Sequence, residues 1–221
     1  MDAIKAIKER SSVRSFLDTP VNKETVQSIL DAARWAPSGV NIQPWEVAVV
    51  TGGTKSKITD ALCEAHMSGA PSAPDYKYYP DSWEEPFISR RVDCGTALYS
   101  ALGISRDDKE KRTQAWLDNF RFFGAPVGLF FFMRRGLGLG AYLDMGMFIQ
   151  NVSIAAKAKG LDTCPQASLA AYPDIVKNIL GVPDSMILIC GMSLGYADMS
   201  AKVNQYRLPR EDVESFTKWF D

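Results

Sequence analysis

Histidine is almost missing from this sequence. The 221 residues contain one, His66. A Ser-His-Asp or Cys-His arrangement would have to use it, and a multi-histidine metal site is excluded. Cysteine is sparse as well. Cys63, Cys94, Cys164 and Cys190 form no C-x-x-C pair, and their spacing suits neither a zinc site nor a disulfide framework. They read as buried thiols in a reducing compartment, and no metal is expected. Charge of one sign is not in excess: the formal net charge is −1. Bulk electrostatics therefore gives no attraction to nucleic acid or to an anionic membrane. Long apolar runs are lacking too. The longest, Val127 to Met133, is too short to span a bilayer, and the opening Met-Asp-Ala-Ile-Lys is not a secretory signal. A cytoplasmic location is the expectation.

The sequence does have the material for a packed interior, at 46% hydrophobic and 11% aromatic residues. No repeat or linker divides it, so residues 1–221 read as one domain. Apolar spacing predicts helices over 2–9, 22–35, 54–65, 82–102, 105–123, 142–159 and 172–180. Buried strands are expected at 45–51, 127–133 and 186–192. Pro71, Pro74 and Pro80 mark residues 68–81 as an irregular loop. The helix from Tyr142 to Lys159 is apolar on most faces, which suits burial or a subunit interface.

Two stretches carry phosphate-binding signals. Gly136-Leu137-Gly138-Leu139-Gly140-Ala141 matches G-x-G-x-x-A, follows a predicted strand and opens a helix, with Asp162 placed for a ribose. On that reading residues 126–192 form a βαβαβ unit, half of an NAD-binding dehydrogenase fold. A plain glycine turn explains the same residues. The second stretch, Arg10-Ser11-Ser12-Val13-Arg14-Ser15-Phe16, sets two arginines four apart among hydroxyl donors. A solvated surface or a phosphate grip would both use such residues.

The wider pattern distinguishes them. Arg10 to Phe16, then Ala36-Pro37-Ser38-Gly39-Val40-Asn41-Ile42-Gln43-Pro44-Trp45, then Gly160 to Gln166, and finally Gly191 to Gly195 with Asn204 and Arg207, resemble the FMN-dependent nitroreductase family across nearly the whole chain. It is most similar to members acting on nitrobenzoates and dinitroanilines. The resemblance implies an α+β nitroreductase-like fold, a central mixed β-sheet flanked by helices, and an intertwined homodimer with FMN at its interface. Arg10, Ser11, Ser12, Arg14 and Arg207 would hold the flavin phosphate and ribityl chain. Pro37, Ser38, Asn41 and Gln43 would reach the partner subunit's flavin. Backbone amides in the segment Cys164-Pro165-Gln166-Ala167 would face the ring nitrogen that accepts hydride. Gln205 stands where many relatives carry a second basic residue, and Lys202 is the candidate to replace it.

No side chain is then expected to be catalytic, because the flavin carries the chemistry. NADH or NADPH would reduce FMN and leave. A nitroaromatic, reduced to its hydroxylamine, or a quinone would take its place on one ring face, giving ping-pong kinetics. Residues 68–123 would cover the substrate, with Trp116, Phe120 and Phe123 as an aromatic wall or as ordinary helix core. A flavin-binding protein that stores FMN without turnover is the non-enzymatic alternative.

Overall fold

The computed structural model describes residues 1–220. Helix α1 (Ala3–Glu9) is capped by the Asp2 side chain, and α2 (Lys23–Ala33) by Asn22. Strand β1 (Glu46–Val50) leads to α3 (Gly52–Met67). Residues 68–86 are irregular up to α4 (Phe87–Ala101), and α5 (Lys109–Phe120) follows with Asp108 as its cap. Next come β2 (Val127–Arg134), α6 (Leu139–Ala158), β3 (Asp162–Gln166) and α7 (Pro173–Leu180). Strand β4 (Met186–Gly195) precedes an extended C-terminal arm with one short helix, α8 (Val213–Phe216).

The sheet has the order β1-β2-β4-β3, and all three pairings are antiparallel. The expected mixed sheet is corrected accordingly. Among the described residues, parallel pairing is confined to one isolated bridge, Ser12 to Thr163. The same pairing overturns the dinucleotide-binding reading, since a βαβαβ unit needs β2, β3 and β4 parallel. Gly138 has an ordinary negative φ of −68°, and added Cβ atoms at Gly138 or Gly140 would meet nothing within 4 Å. These glycines make no close approach. Asp162 is also committed, pairing with Lys157 at 2.8 Å.

Both sheet faces are covered. Val127, Leu129, Phe131 and Met133 of β2 pack with α2 and α6, while Phe130 and Phe132 pack with α3, α5 and α7. That alternation explains why β2 reads as one continuous apolar run. Helix α4 is different: it has no buried residue and meets the fold chiefly at Lys202–Asn204. Segment 68–123 is thus outlying only around α4, because Asp75 and Tyr76 bond to α7 and β4 while Leu117 and Phe120 anchor α5 in the core.

Two features position the site. At Gly191 a Cβ would lie 2.4 Å from the Leu169 side chain. The missing side chain lets the turn after β3 rest directly on β4. The segment from Ser38 to Gln43 is strained: Val40, Asn41 and Gln43 all have positive φ, at 44°, 59° and 48°.

Candidate active site

Arg10, Arg14, Arg207 and Arg210 converge on one cavity of about 550 Å³, together with Ser11, Ser12 and Cys94. The two ends of the chain build it. Arg207 donates to the carbonyls of Glu9 and Arg10 at 2.7 and 2.9 Å. Asn204 accepts from Arg14 N–H at 2.8 Å and donates to the Ser15 carbonyl at 2.8 Å. Arg14 also donates to its neighbour Ser12 O.

The cavity is short of negative charge. Among the described residues none of these four arginines pairs with a carboxylate, and Glu9 is taken by Lys5. Burial, then Arg210 and Arg207, depress the pKa of Arg10. A partly dry group of like charges with unfilled donors is what a dianionic phosphate neutralises.

Strand β3 links this cavity to another. Thr163 accepts from Val13 N–H at 3.1 Å beside the arginines. Pro165, Gln166 and Ala167 line a second cavity of about 390 Å³, walled by Tyr76, Tyr78 and Tyr142. From Thr163 to Gln166 the strand advances about 10 Å. Two buried hydroxyls near this strand, Thr163 Oγ1 and Ser168 Oγ, have no hydrogen-bond partner. Neither residue lines either cavity, so the fit to a ligand with phosphate and hydroxyl groups rests on the unpaired arginines with Ser11 and Ser12 beside them.

A family model described as the nitroreductase family matches residues 7–196. The chain belongs to the nitroreductase family. It is 40% identical to a 4-nitrobenzoate reductase of Pseudomonas putida over 216 residues, covering 98% of this chain and 93% of that protein. The crystal structure of an FMN- and NADPH-dependent nitroreductase from Sphigopyxis sp. strain HMH superposes with a TM-score of 0.97 at 39% identity, covering all of both chains. An FMN-dependent nitroreductase from Mycobacterium smegmatis, solved with NADPH, gives 0.94 at 35% identity over 99% of this chain and 98% of that one.

In this nitroreductase the arginines and serines predicted from sequence do come together, and so does the segment from Pro165 to Ala167. The Gln166 side chain is buried elsewhere. It donates to Asn119 O at 2.7 Å and accepts from Ser193 Oγ at 2.6 Å, so only its backbone faces the cavity. Pro37, Ser38, Asn41 and Gln43 line neither cavity of their own chain. Gln43 N–H binds Ser38 Oγ at 3.0 Å, and Asn41 and Gln43 are exposed.

The aromatic wall needs correction. Phe120 is 1% exposed and packs against His66 and Tyr172, so it is core. Trp116 is half exposed and stacks on His66, and Phe123 packs against the same core. All three lie away from both cavities. Sequence reasoning missed the tyrosines, whose signal was the Tyr76, Tyr78, Tyr79 cluster in the proline-rich loop. It also missed Arg210. Lys202 does not line the arginine cavity, and Gln205 turns its amide to Met199 O and Ser200 O. Pro209 and Arg210 bring the fourth charge from beyond Arg207.

Cys164 lies between the cavities. Burial pushes its thiol up to about 11, against the pull of Arg14, the Ser12 hydroxyl and Arg10. It stays a thiol at neutral pH and is no nucleophile. Among the described residues no group of acids, cysteines and histidine could hold a metal, and no helix is long and apolar enough to cross a membrane.

Proposed function

We propose that this nitroreductase is a homodimeric enzyme that binds FMN, takes electrons from NADPH and reduces nitroaromatic compounds to hydroxylamines. The observation that carries the reading is the pair of cavities along β3, arginine-lined at one end and tyrosine-lined at the other. Bound FMN supplies the two-electron chemistry that one histidine and buried thiols do not. The relatives named FMN- and NADPH-dependent nitroreductase and 4-nitrobenzoate reductase support the same cofactors and substrate class.

Arg10, Arg14, Arg207 and Arg210 hold the phosphate, helped by the Ser11 and Ser12 hydroxyls. Four guanidinium groups give planar, always-charged donors, and the carbonyl bonds of Arg207 fix one of them in advance. Backbone amides of Gln166 and Ala167 face the redox-active ring edge. Such donors are rigid and independent of pH.

Tyr76, Tyr78 and Tyr142 wall the aromatic substrate, the role first given to the α5 stripe. Tyr76 donates its hydroxyl to Ile189 O at 2.8 Å, and burial raises its pKa well above that of a free phenol. Its ring is therefore neutral and fixed. Tyr78 has a more exposed ring that can adjust to the substrate.

The second subunit completes the site. Leu139, Leu143 and Met147 form an exposed stripe on α6, and Val40 is 97% exposed on the strained loop. These surfaces meet across a two-fold axis, and Ser38, Asn41 and Gln43 reach the cofactor held by the other protomer.

The test is a visible spectrum of the purified protein under argon. The reading expects a yellow dimer that bleaches with NADPH and regains colour on adding 4-nitrobenzoate, with parallel double-reciprocal plots. A protein that takes up no FMN would overturn it. Bleaching without recovery on any nitroaromatic would leave a flavin store.

A further inference from the structure

Strand β4 is only partly covered along its β3 edge. Strand β3 pairs with Gly191 to Gly195 and stops, with Gln166 opposite Gly191. On the other edge the register with β2 jumps from Phe131 opposite Cys190 to Phe132 opposite Leu188, so Ile189 is an extra, unpaired residue. Such a bulge leaves backbone groups without ladder partners. The loop before α4 takes them up. Asp75 accepts from the Leu188 N–H at 2.9 Å, and Tyr76 donates its hydroxyl to Ile189 O at 2.8 Å. Two consecutive loop residues thus hold two consecutive strand residues.

Asp75 is itself held. Lys177 of α7 donates to it at 2.8 Å, and Arg135 donates at 2.6 Å. The Asp75 and Lys177 side chains are only 7% and 3% exposed. Just upstream, Ser72 and Ala73 both donate to Ala171 O at 3.1 Å. Beyond Tyr76 the next ion pair, Lys77 with Asp81, stays inside the loop. The brace therefore ends at the first tyrosine of the wall.

A buried ion pair is weak support for stability, since apolar residues in its place are often neutral or better. What this one gives is direction. Tyr76 and Ile189 both line the tyrosine-walled cavity, and Asp75 fixes the backbone from which the Tyr76 ring projects.

We infer that Asp75, braced by Lys177, is a positioning residue that sets the width of the aromatic slot and favours small flat substrates over bulky ones. The inference rests on the flavoenzyme reading above. Asp75 does not line the cavity and acts through Tyr76.

The experiment compares Asp75→Asn, Lys177→Met and the double variant as FMN-loaded proteins. Asp75→Asn strands the buried Lys177 charge and should lower the melting temperature. The double variant removes both charges and should recover most of that loss. Stability and positioning separate here, because the double variant still lacks the ionic brace. It should keep the parent's flavin content and rate of reduction by NADPH. Its KM for 4-nitrobenzoate should rise by roughly three- to tenfold, the stacking of one ring, with little change in kcat. KM for an N,N-dialkyl dinitroaniline should not rise.

A second readout needs no turnover. In protein labelled with 3-fluorotyrosine, the fluorine resonance missing from Tyr76→Phe identifies Tyr76. In the double variant that resonance should move toward the position of free fluorotyrosine. If the double variant melts early, Lys177→Met alone carries the test with a smaller shift, since Asp75 keeps Arg135 and Leu188. A parent-like Tyr76 resonance and a parent-like ratio of the two KM values would overturn the inference and leave Asp75 as support for the fold alone. An equal rise in both KM values would do the same. Failure of the flavoenzyme reading would appear separately, as absent FMN or an inert nitro substrate, with the fluorine spectra still readable.

Discussion

Both carboxylate oxygens of Asp144 face the backbone N–H of Gly39, at 3.3 and 3.2 Å. Asp144 is buried on α6, and Gly39 opens the loop that holds Val40, Asn41 and Gln43 at positive φ. Each such residue costs on the order of 1–3 kcal/mol, so the loop needs an anchor. Asp144→Ala removes it and should cost about 1.5–3 kcal/mol of stability, the loss of a hydrogen bond to a carboxylate. FMN retention should fall as well, while Asp144→Asn, which keeps an acceptor oxygen, should recover most of both. Thermal melts and flavin titration of the two variants check this. Parent-like flavin binding in the alanine variant would show that the loop holds itself.

The phosphate grip makes a positional prediction. Arg14→Ala, Arg207→Ala and Arg210→Ala should each lower FMN affinity by roughly ten- to a hundredfold. Lys202→Ala should leave it unchanged, because Lys202 lies outside the cavity. Fluorescence quenching of added flavin measures all four. An effect at Lys202 equal to that at Arg210 would reverse the assignment.

Substrate choice and fold integrity should separate between two aromatic residues. Phe120→Ala opens a void in the core and should cost about 3–5 kcal/mol, lowering every activity together. Tyr78→Ala removes an exposed ring worth on the order of 0.5–1.5 kcal/mol in stacking. It should melt near the parent temperature and shift kcat/KM between bulky and small nitroaromatics by roughly three- to tenfold. An unchanged ratio for Tyr78→Ala would remove that residue from the wall.

Two buried thiols set an alkaline limit. Burial raises Cys164 from 9.0 to about 11 and Cys190 from 9.0 to about 12. Above pH 9 the unfolded chain gives up these protons and the folded chain keeps them. Stability therefore falls as pH rises, through 9 to 11 for Cys164 and 9 to 12 for Cys190, by up to about 1.4 kcal/mol per unit per thiol. Denaturant melts from pH 8 to 11 should show the slope, and Cys190→Ala should flatten it.

Much of this architecture was legible in the sequence, for local reasons. Asn22 caps the helix it precedes, and the apolar run of β2 is long enough to announce a strand buried on both faces, whereas the helices expected from 82 and 105 begin only at Phe87 and Lys109. Strand β3 escaped because Asp162-Thr163-Cys164-Pro165-Gln166 has no alternation and contains a proline. Direction of pairing escaped as well, since neither composition nor periodicity separates parallel from antiparallel neighbours. The wall was misplaced for a related reason. Spacing puts Trp116, Phe120 and Phe123 on one side of a helix but does not say what that side meets. Arg210 could be found only in three dimensions, because its guanidinium is aimed by bonds to the Leu208 and Pro209 carbonyls.

The clasp between Arg207 and the carbonyls of Glu9 and Arg10 sets an order of events in synthesis. Half of the arginine cavity leaves the ribosome with the segment from Arg10 to Arg14 and half with the segment from Asn204 to Arg210. Arg10 and Arg14 wait through nearly two hundred residues for Arg207 and Arg210, and a nascent chain has no complete anion site to offer. The arginine cavity is thereby closed only once synthesis has passed Arg210, and a product that stops short of Arg207 lacks half of its charge.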